Sequence, residues 1–142
     1  MKNDYQIVVI GAGVIGLSIA YQLQKSGITS VLILEKENNY GLGISSRNSE
    51  VIHSGIYYKP NSLKLKYCIR GKNMLYDFCE KNSVWYQKCG KLIVSQEEQS
   101  NQILDLYNNG VNNGLKNIEL VYSHDITLLE NKIKGHHGIF IK

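Results

Sequence analysis

The residues whose types and spacing point most directly to chemistry are Gly11-Ala12-Gly13-Val14-Ile15-Gly16 and the carboxylate of Glu35, nineteen positions beyond Gly16. Three glycines in the pattern G-x-G-x-x-G suit a dinucleotide pyrophosphate. The first permits a tight turn, the second lets the backbone approach the phosphates, and the third lets a helix lie close on a strand. Unpaired amides and the positive end of the helix dipole then face the phosphate charge. An acidic residue at Glu35 suits the ribose hydroxyls and disfavours a 2′-phosphate. The motif by itself leaves NAD and FAD open.

These residues need elements to hold them, and the flanking sequence supplies them. Ile7-Val8-Val9-Ile10 is short, apolar and mostly β-branched, as expected of a parallel strand covered on both faces. Gly16, Ile19, Ala20 and Leu23 recur along one helix face, and Gly27 is placed to end that helix as a left-handed cap. Val31-Leu32-Ile33-Leu34 then forms a second strand ending at Glu35, so the first 35 residues read as a βαβ unit with parallel strands. In an NAD protein a further helix and third parallel strand are expected next. Instead, 38–49 is a polar, glycine-bearing loop with paired serines, running into a short helix with a serine at its start, and this favours the larger cofactor FAD.

Further on, Pro60 sets a break and a long helix is expected from Ser62 to about Lys81, with Leu65, Cys68, Ile69, Leu75 and Cys79 on one face. Val84-Trp85-Tyr86 and 91–94 read as strands flanking Gly90. A helix is expected over 97–109, ended by Asn109-Gly110, then a strand at 118–121, a weak helix at 124–130 and a strand from Gly138.

Composition excludes several classes. The chain has 142 residues, 43% hydrophobic and 20% charged, in the range of ordinary globular proteins. Its net charge of +4 is spread without a basic run, which argues against nucleic acid. The stretch from Gln6 to Gln24 lacks charge, but its glycines and short apolar runs fall well below the ~20 residues a membrane span needs. Three cysteines at 68, 79 and 89 are too few and too scattered for a disulfide framework and suit a reducing, cytoplasmic compartment. Cys68 and Cys79 are expected as buried apolar side chains. His136-His137 lack partners at metal-ligand spacing, so no metal site is expected.

The block Arg47-Asn48-Ser49-Glu50-Val51-Ile52-His53-Ser54-Gly55-Ile56-Tyr57-Tyr58-Lys59-Pro60, followed by Ser62-Leu63-Lys64 and by Gln87-Lys88-Cys89-Gly90-Lys91-Leu92-Ile93-Val94, closely resembles the L-2-hydroxyglutarate dehydrogenases and oxidases. These are FAD enzymes of the D-amino-acid-oxidase-like superfamily, and the similarity runs from about Tyr5 to the last residues. The resemblance implies an α/β fold, a Rossmann-like FAD-binding βαβ unit (within 1–82) with the beginning of an α+β substrate-binding lobe (83–142), incomplete. It implies that Gly11, Gly13, Val14, Ile15, Gly16, Glu35 and Lys36 hold the ADP half of FAD, with Ser45, Ser46, Arg47 and Asn48 along the pyrophosphate and toward the flavin.

The implied reaction oxidises a 2-hydroxy acid to a 2-oxo acid, with oxygen, a quinone or a protein as the final electron acceptor. Peripheral membrane contact is compatible with a quinone. His53 is the candidate to take the hydroxyl proton, a role that histidine as a residue type suits, and an orienting role beside the flavin is the alternative. Tyr57 and Tyr58 are candidates to face the substrate, or are simply packed rings with wet hydroxyls. Glycine is usual in the family where Ser46 and Glu50 stand, which raises a possible defect near the flavin. Arg47 and Arg70 are the sole arginines, so the clamp for a diacid is expected beyond Lys142. The expectation is an N-terminal part of a longer enzyme, inactive alone; the competing readings are a non-catalytic dinucleotide-binding module and, last, an NAD(P)-linked protein.

Overall fold

The computed structural model describes residues 4–98 and 100–142, which fall into two compact units, the first ending at Val51 and the second Ile52–Lys142. By packing, the division therefore falls earlier than the role-based boundary expected at 82/83.

In the first unit, β1 (Ile7–Ile10) pairs in parallel with β2 (Val31–Leu34), with Ile7 opposite Val31 and Ile10 opposite Leu34. Helix α1 (Val14–Lys25) connects them and packs on both strands. It ends as expected. Gly27 takes φ +87°, its amide donates to the Gln24 carbonyl, and the Ile28 amide reaches back to Leu23, closing the αL cap with two bonds. Burial departs from expectation. A parallel strand is normally covered on both faces, yet Val9 is buried while Val8 and Ile10 on the other face are 50% and 87% exposed. Helix α1 covers one side, and Val8 and Ile10 on the other stay exposed among the described residues. The helix expected after the serine-bearing loop is a single 3-10 turn, Ile44–Ser46, and it starts after Gly43 with Ser45 in its middle.

The second unit starts with an irregular segment and then α2 (Leu63–Lys81). Ser62 caps this helix, its Oγ accepting the Leu65 amide at 3.2 Å. Leu65 and Cys79 are buried, Cys68 is half-buried, and Leu75, expected on the same face, is exposed. The strand expected at 84–86 does not form. That stretch finds no ladder partner; Trp85 is largely exposed and the Tyr86 ring packs on Tyr76 at 5.2 Å.

Strands β3 (Lys91–Ser95), β4 (Ile118–Tyr122) and β5 (His137–Ile141) make an antiparallel sheet in the order β3-β5-β4. Ile93, Ile139 and Leu120 stand opposite one another across it. Helix α3 (Asn101–Asn112) lays Ile103 against Ile118, Ile139 and Ile141, with Ile56 of the irregular segment completing this core. The short α4 (Ser123–Leu129) buries Ile126 completely. Helix α3 does not stop at Asn109-Gly110. It runs on to a second Asn-Gly pair, where Gly114 at φ +80° donates to Val111 and Leu115 to Gly110. Gly110 serves packing instead, since a Cβ there would stand 2.6 Å from Ile118 Cδ1.

Candidate functional site

In the first unit the glycine turn is built by five contacts. Gly11, at φ +100°, a left-handed value that suits glycine, donates its amide to the Leu34 carbonyl at 2.7 Å. The Ala12 amide donates to Glu35 Oε2 at 2.7 Å, and the Ala12 carbonyl accepts from Gly41 at 3.0 Å. The Val14 amide donates to Ser45 Oγ at 2.9 Å. Finally, a Cβ on Gly16 would stand 2.0 Å from the Gly11 carbonyl oxygen, so only glycine lets α1 approach this turn.

Helix α1 begins without a side-chain cap of its own, because Gly13 is its N-cap. Its first internal bond runs from Leu17 to Gly13, so the amides of Val14, Ile15 and Gly16 precede the helical ladder. Ser45 serves as the cap from a distance, placing an oxygen where a phosphate oxygen would be welcome. Backbone donors favour the ionised form of Glu35. The Ala12 amide, then those of Glu37 and Lys36, donate to its carboxylate and keep its pKa below the usual carboxylate value.

The structure thus brings together Gly11, Gly13, Val14, Gly16, Glu35 and Ser45. Ile15 lies in the same first turn with its side chain largely exposed. Ser46 Oγ donates to the Gly43 carbonyl, and Asn48 bridges Ser45 and Glu50, so these two shape the turn that presents Ser45. Lys36 contributes its backbone, while its ammonium meets Glu37 at 3.5 Å on the open surface. The Arg47 side chain is exposed. Glu50 sits at φ +55°, a left-handed value, at one of the two positions where the family resemblance implies glycine.

In the second unit His53 is exposed, its Nδ1 3.4 Å from the Tyr58 hydroxyl and its ring parallel to that of Tyr58. The Cys68 thiol donates to the His53 carbonyl at 3.5 Å, and the Lys64 ammonium lies 4.7 Å above the Tyr58 ring. Tyr57 is instead exposed and lies under Lys91. Two residues that sequence reasoning missed hold this segment. Asn109 of α3 and Asn113 at its C-cap donate to the carbonyls of Gly55, Ile56 and Tyr58. Their i, i+4 spacing was the available signal, obscured because Asn-Gly reads as a helix stop. Of the histidine pair, His137 is buried and stacks on Tyr122 at 5.2 Å. Among the described residues no three His, Cys, Asp or Glu side chains gather as a metal set.

A βαβ start with a glycine turn at the first helix and a carboxylate just after the second strand defines a dinucleotide-binding fold. Residues 6–141 match the family described as FAD dependent oxidoreductase, and the chain belongs to that family. It is 43% identical over 137 residues to "L-2-hydroxyglutarate dehydrogenase, mitochondrial" of Dictyostelium discoideum, covering 94% of this chain and 31% of that protein. The protein of the same name from Bos taurus is 39% identical over 135 residues, again 94% of this chain and 29% of the relative. The chain therefore spans about 30% of the length of these curated relatives. Among solved structures, an L-proline dehydrogenase from P. horikoshii superposes with a TM-score of 0.76 at 18% identity, over 99% of this chain and 37% of that one.

The family's cofactor is FAD, and the first unit fits its ADP half. Its turn admits no Cβ at Gly16, the first amides of α1 precede the helical ladder with only the hydroxyl of Ser45 seen on that of Val14, and Glu35 sets a carboxylate beside the turn. Both relatives are named as mitochondrial, which departs from the cytoplasmic expectation. Among the described residues no helix is long and apolar enough to cross a membrane.

Proposed function

We propose that the protein represented by this chain oxidises L-2-hydroxyglutarate to 2-oxoglutarate. The observation that carries this reading is the similarity, at 39–43% identity over 94% of the chain, to relatives named for that activity. In this reading residues 1–82 contribute to the FAD-binding part and 83–142 begin the substrate lobe. FAD, when bound, supplies the two-electron acceptor for the carbinol hydride.

The chain's own residues do the rest. The α1 amides and Ser45 would receive the pyrophosphate, with Ser46, Arg47 and Asn48 alongside, and Glu35 would accept from the ribose hydroxyls. With Nδ1 turned to the Tyr58 hydroxyl, His53 has Nε2 to take the hydroxyl proton of the 2-hydroxy acid. That role requires the tautomer in which Nδ1 carries the hydrogen and donates to Tyr58. In this reading the final electron acceptor is oxygen, a quinone or a protein, and the groups that clamp the two substrate carboxylates come largely from outside these residues.

The visible spectrum of the purified chain tests the cofactor: copurified flavin supports the reading, and tight NADH binding without flavin overturns it. Dye reduction with L-2-hydroxyglutarate tests the activity. A full-length counterpart is expected to turn over and this chain alone is not. A chain that binds flavin, and whose full-length counterpart leaves L-2-hydroxyglutarate untouched, is instead a non-catalytic dinucleotide-binding module.

A further inference from the structure

Asn109, in the last turn of α3, and Asn113, the residue that caps its C-terminus, stand four positions apart and aim their amides at the same irregular segment. Asn109 Nδ2 donates to the carbonyls of Ile56 at 2.6 Å and Tyr58 at 3.0 Å, and Asn113 Nδ2 donates to those of Gly55 at 3.1 Å and Tyr58 at 2.8 Å. Four bonds from two side chains therefore satisfy three carbonyls in a stretch that belongs to no helix or strand. Backbone groups buried without a ladder need such partners, at about 1–3 kcal/mol each if they are lost. The arrangement is enclosed: Asn113 is 6% exposed and Ile56 1%. Gly110, between the two asparagines, leaves the space into which Ile56 fits, because a Cβ there would lie 3.3 Å from Ile56 Cγ1.

The clamped segment carries Tyr58, and the Tyr58 hydroxyl is the partner of His53 Nδ1. We infer that Asn113, assisted by Asn109, is a positioning residue: it fixes the Tyr58 backbone so that the hydroxyl engages Nδ1 and leaves Nε2 as the working nitrogen. The inference rests on the proton-accepting role proposed for His53 but concerns geometry that is measurable without turnover. Orientation of Asn113 follows from the two bonds its amide donates, since its Oδ1 is buried with no partner. Replacing the amide by a carboxylate removes both donors at nearly constant shape and turns an oxygen onto two carbonyls.

NMR on this chain, labelled at histidine, tyrosine and isoleucine, tests the inference. The wild type is expected to show a ring-to-ring cross-peak between His53 and Tyr58 and a 15N pattern with hydrogen on Nδ1. Asn113→Asp is expected to abolish the cross-peak and mix the His53 tautomers, while the Ile139 and Ile103 methyl signals stay in place. If Asn113→Asp does not fold, Asn109→Ala removes the half-buried amide and is expected to weaken the cross-peak with the same methyls unmoved. A cross-peak and tautomer pattern retained in whichever variant folds overturns the inference, as does their absence from the wild type. A His53 variant that retains full activity in a full-length counterpart would instead sink the proton-accepting role and leave these NMR results standing.

Discussion

Glu35 Oε2 accepts the amide of Ala12 at 2.7 Å, joining the end of β2 to the middle of the glycine turn. Because backbone donors hold the carboxylate ionised, its folded-state pKa lies below the unfolded one. The stability it contributes is complete above the ordinary carboxylate value of ~4.3 and fades as pH falls below that through the lowered folded-state pKa. Urea midpoints of the chain are expected to drop between pH 6 and acid, and Glu35→Gln to flatten part of that drop. An identical acid limb in the variant would refute the assignment.

Gly16→Ala and Gly71→Ala should differ in sign. At Gly16 the added Cβ meets backbone at 2.0 Å, so overpacking of ~1–3 kcal/mol or more is expected, with loss of flavin retention. Gly71 lies on the exposed side of α2 with open space around it, and alanine there should stabilise by up to ~1 kcal/mol. Thermal unfolding of the two variants checks both.

Glu50 at φ +55° pays for a left-handed conformation that glycine adopts freely. Glu50→Gly should leave stability unchanged or raise it by ~1 kcal/mol, whereas β-branched Glu50→Val should lower it by ~1–2 kcal/mol. Flavin content should follow the same order, since Glu50 is bonded through Asn48 to the turn that presents Ser45.

Ile139 is fully buried at the centre of the three-stranded sheet, and Ile139→Ala should cost ~2–5 kcal/mol. Trp85, at 84% exposure, should change stability by no more than ~0.5 kcal/mol on conversion to alanine. Chemical denaturation monitored by far-UV circular dichroism distinguishes them.

His53→Ala in a full-length counterpart should slow L-2-hydroxyglutarate oxidation by at least ~10²-fold if Nε2 takes the proton. A near-normal rate would leave His53 an orienting role. The flavin spectrum should be retained either way, which separates a catalytic defect from loss of cofactor.

Much of this was legible in the residues. The βαβ start, the Gly27 cap, the long helix beginning near Ser62 and the strands at 91 and 118 follow from apolar period and cap chemistry, which act over a few neighbouring positions. The sequence went astray at 84–86, where strand-like residues lack a partner, and at Asn109-Gly110, where a turn signal lies inside a helix. A ladder needs a second strand, and a helix stop needs the next residues to prefer stopping. Neither condition is local.

The same division holds for the site. Sequence alone determined the family and the glycine turn with Glu35 beside it, because spacing within one βαβ unit sets which groups come together at the start of the first helix. Only the tertiary structure decided that Ser45 caps α1 across thirty-one positions and that Asn109 and Asn113 hold the segment beside His53 across more than fifty. Side-chain to backbone bonds over such separations carry no period in the chain. They exist only once packing has brought the partners within about 3 Å and excluded the water that would otherwise satisfy them.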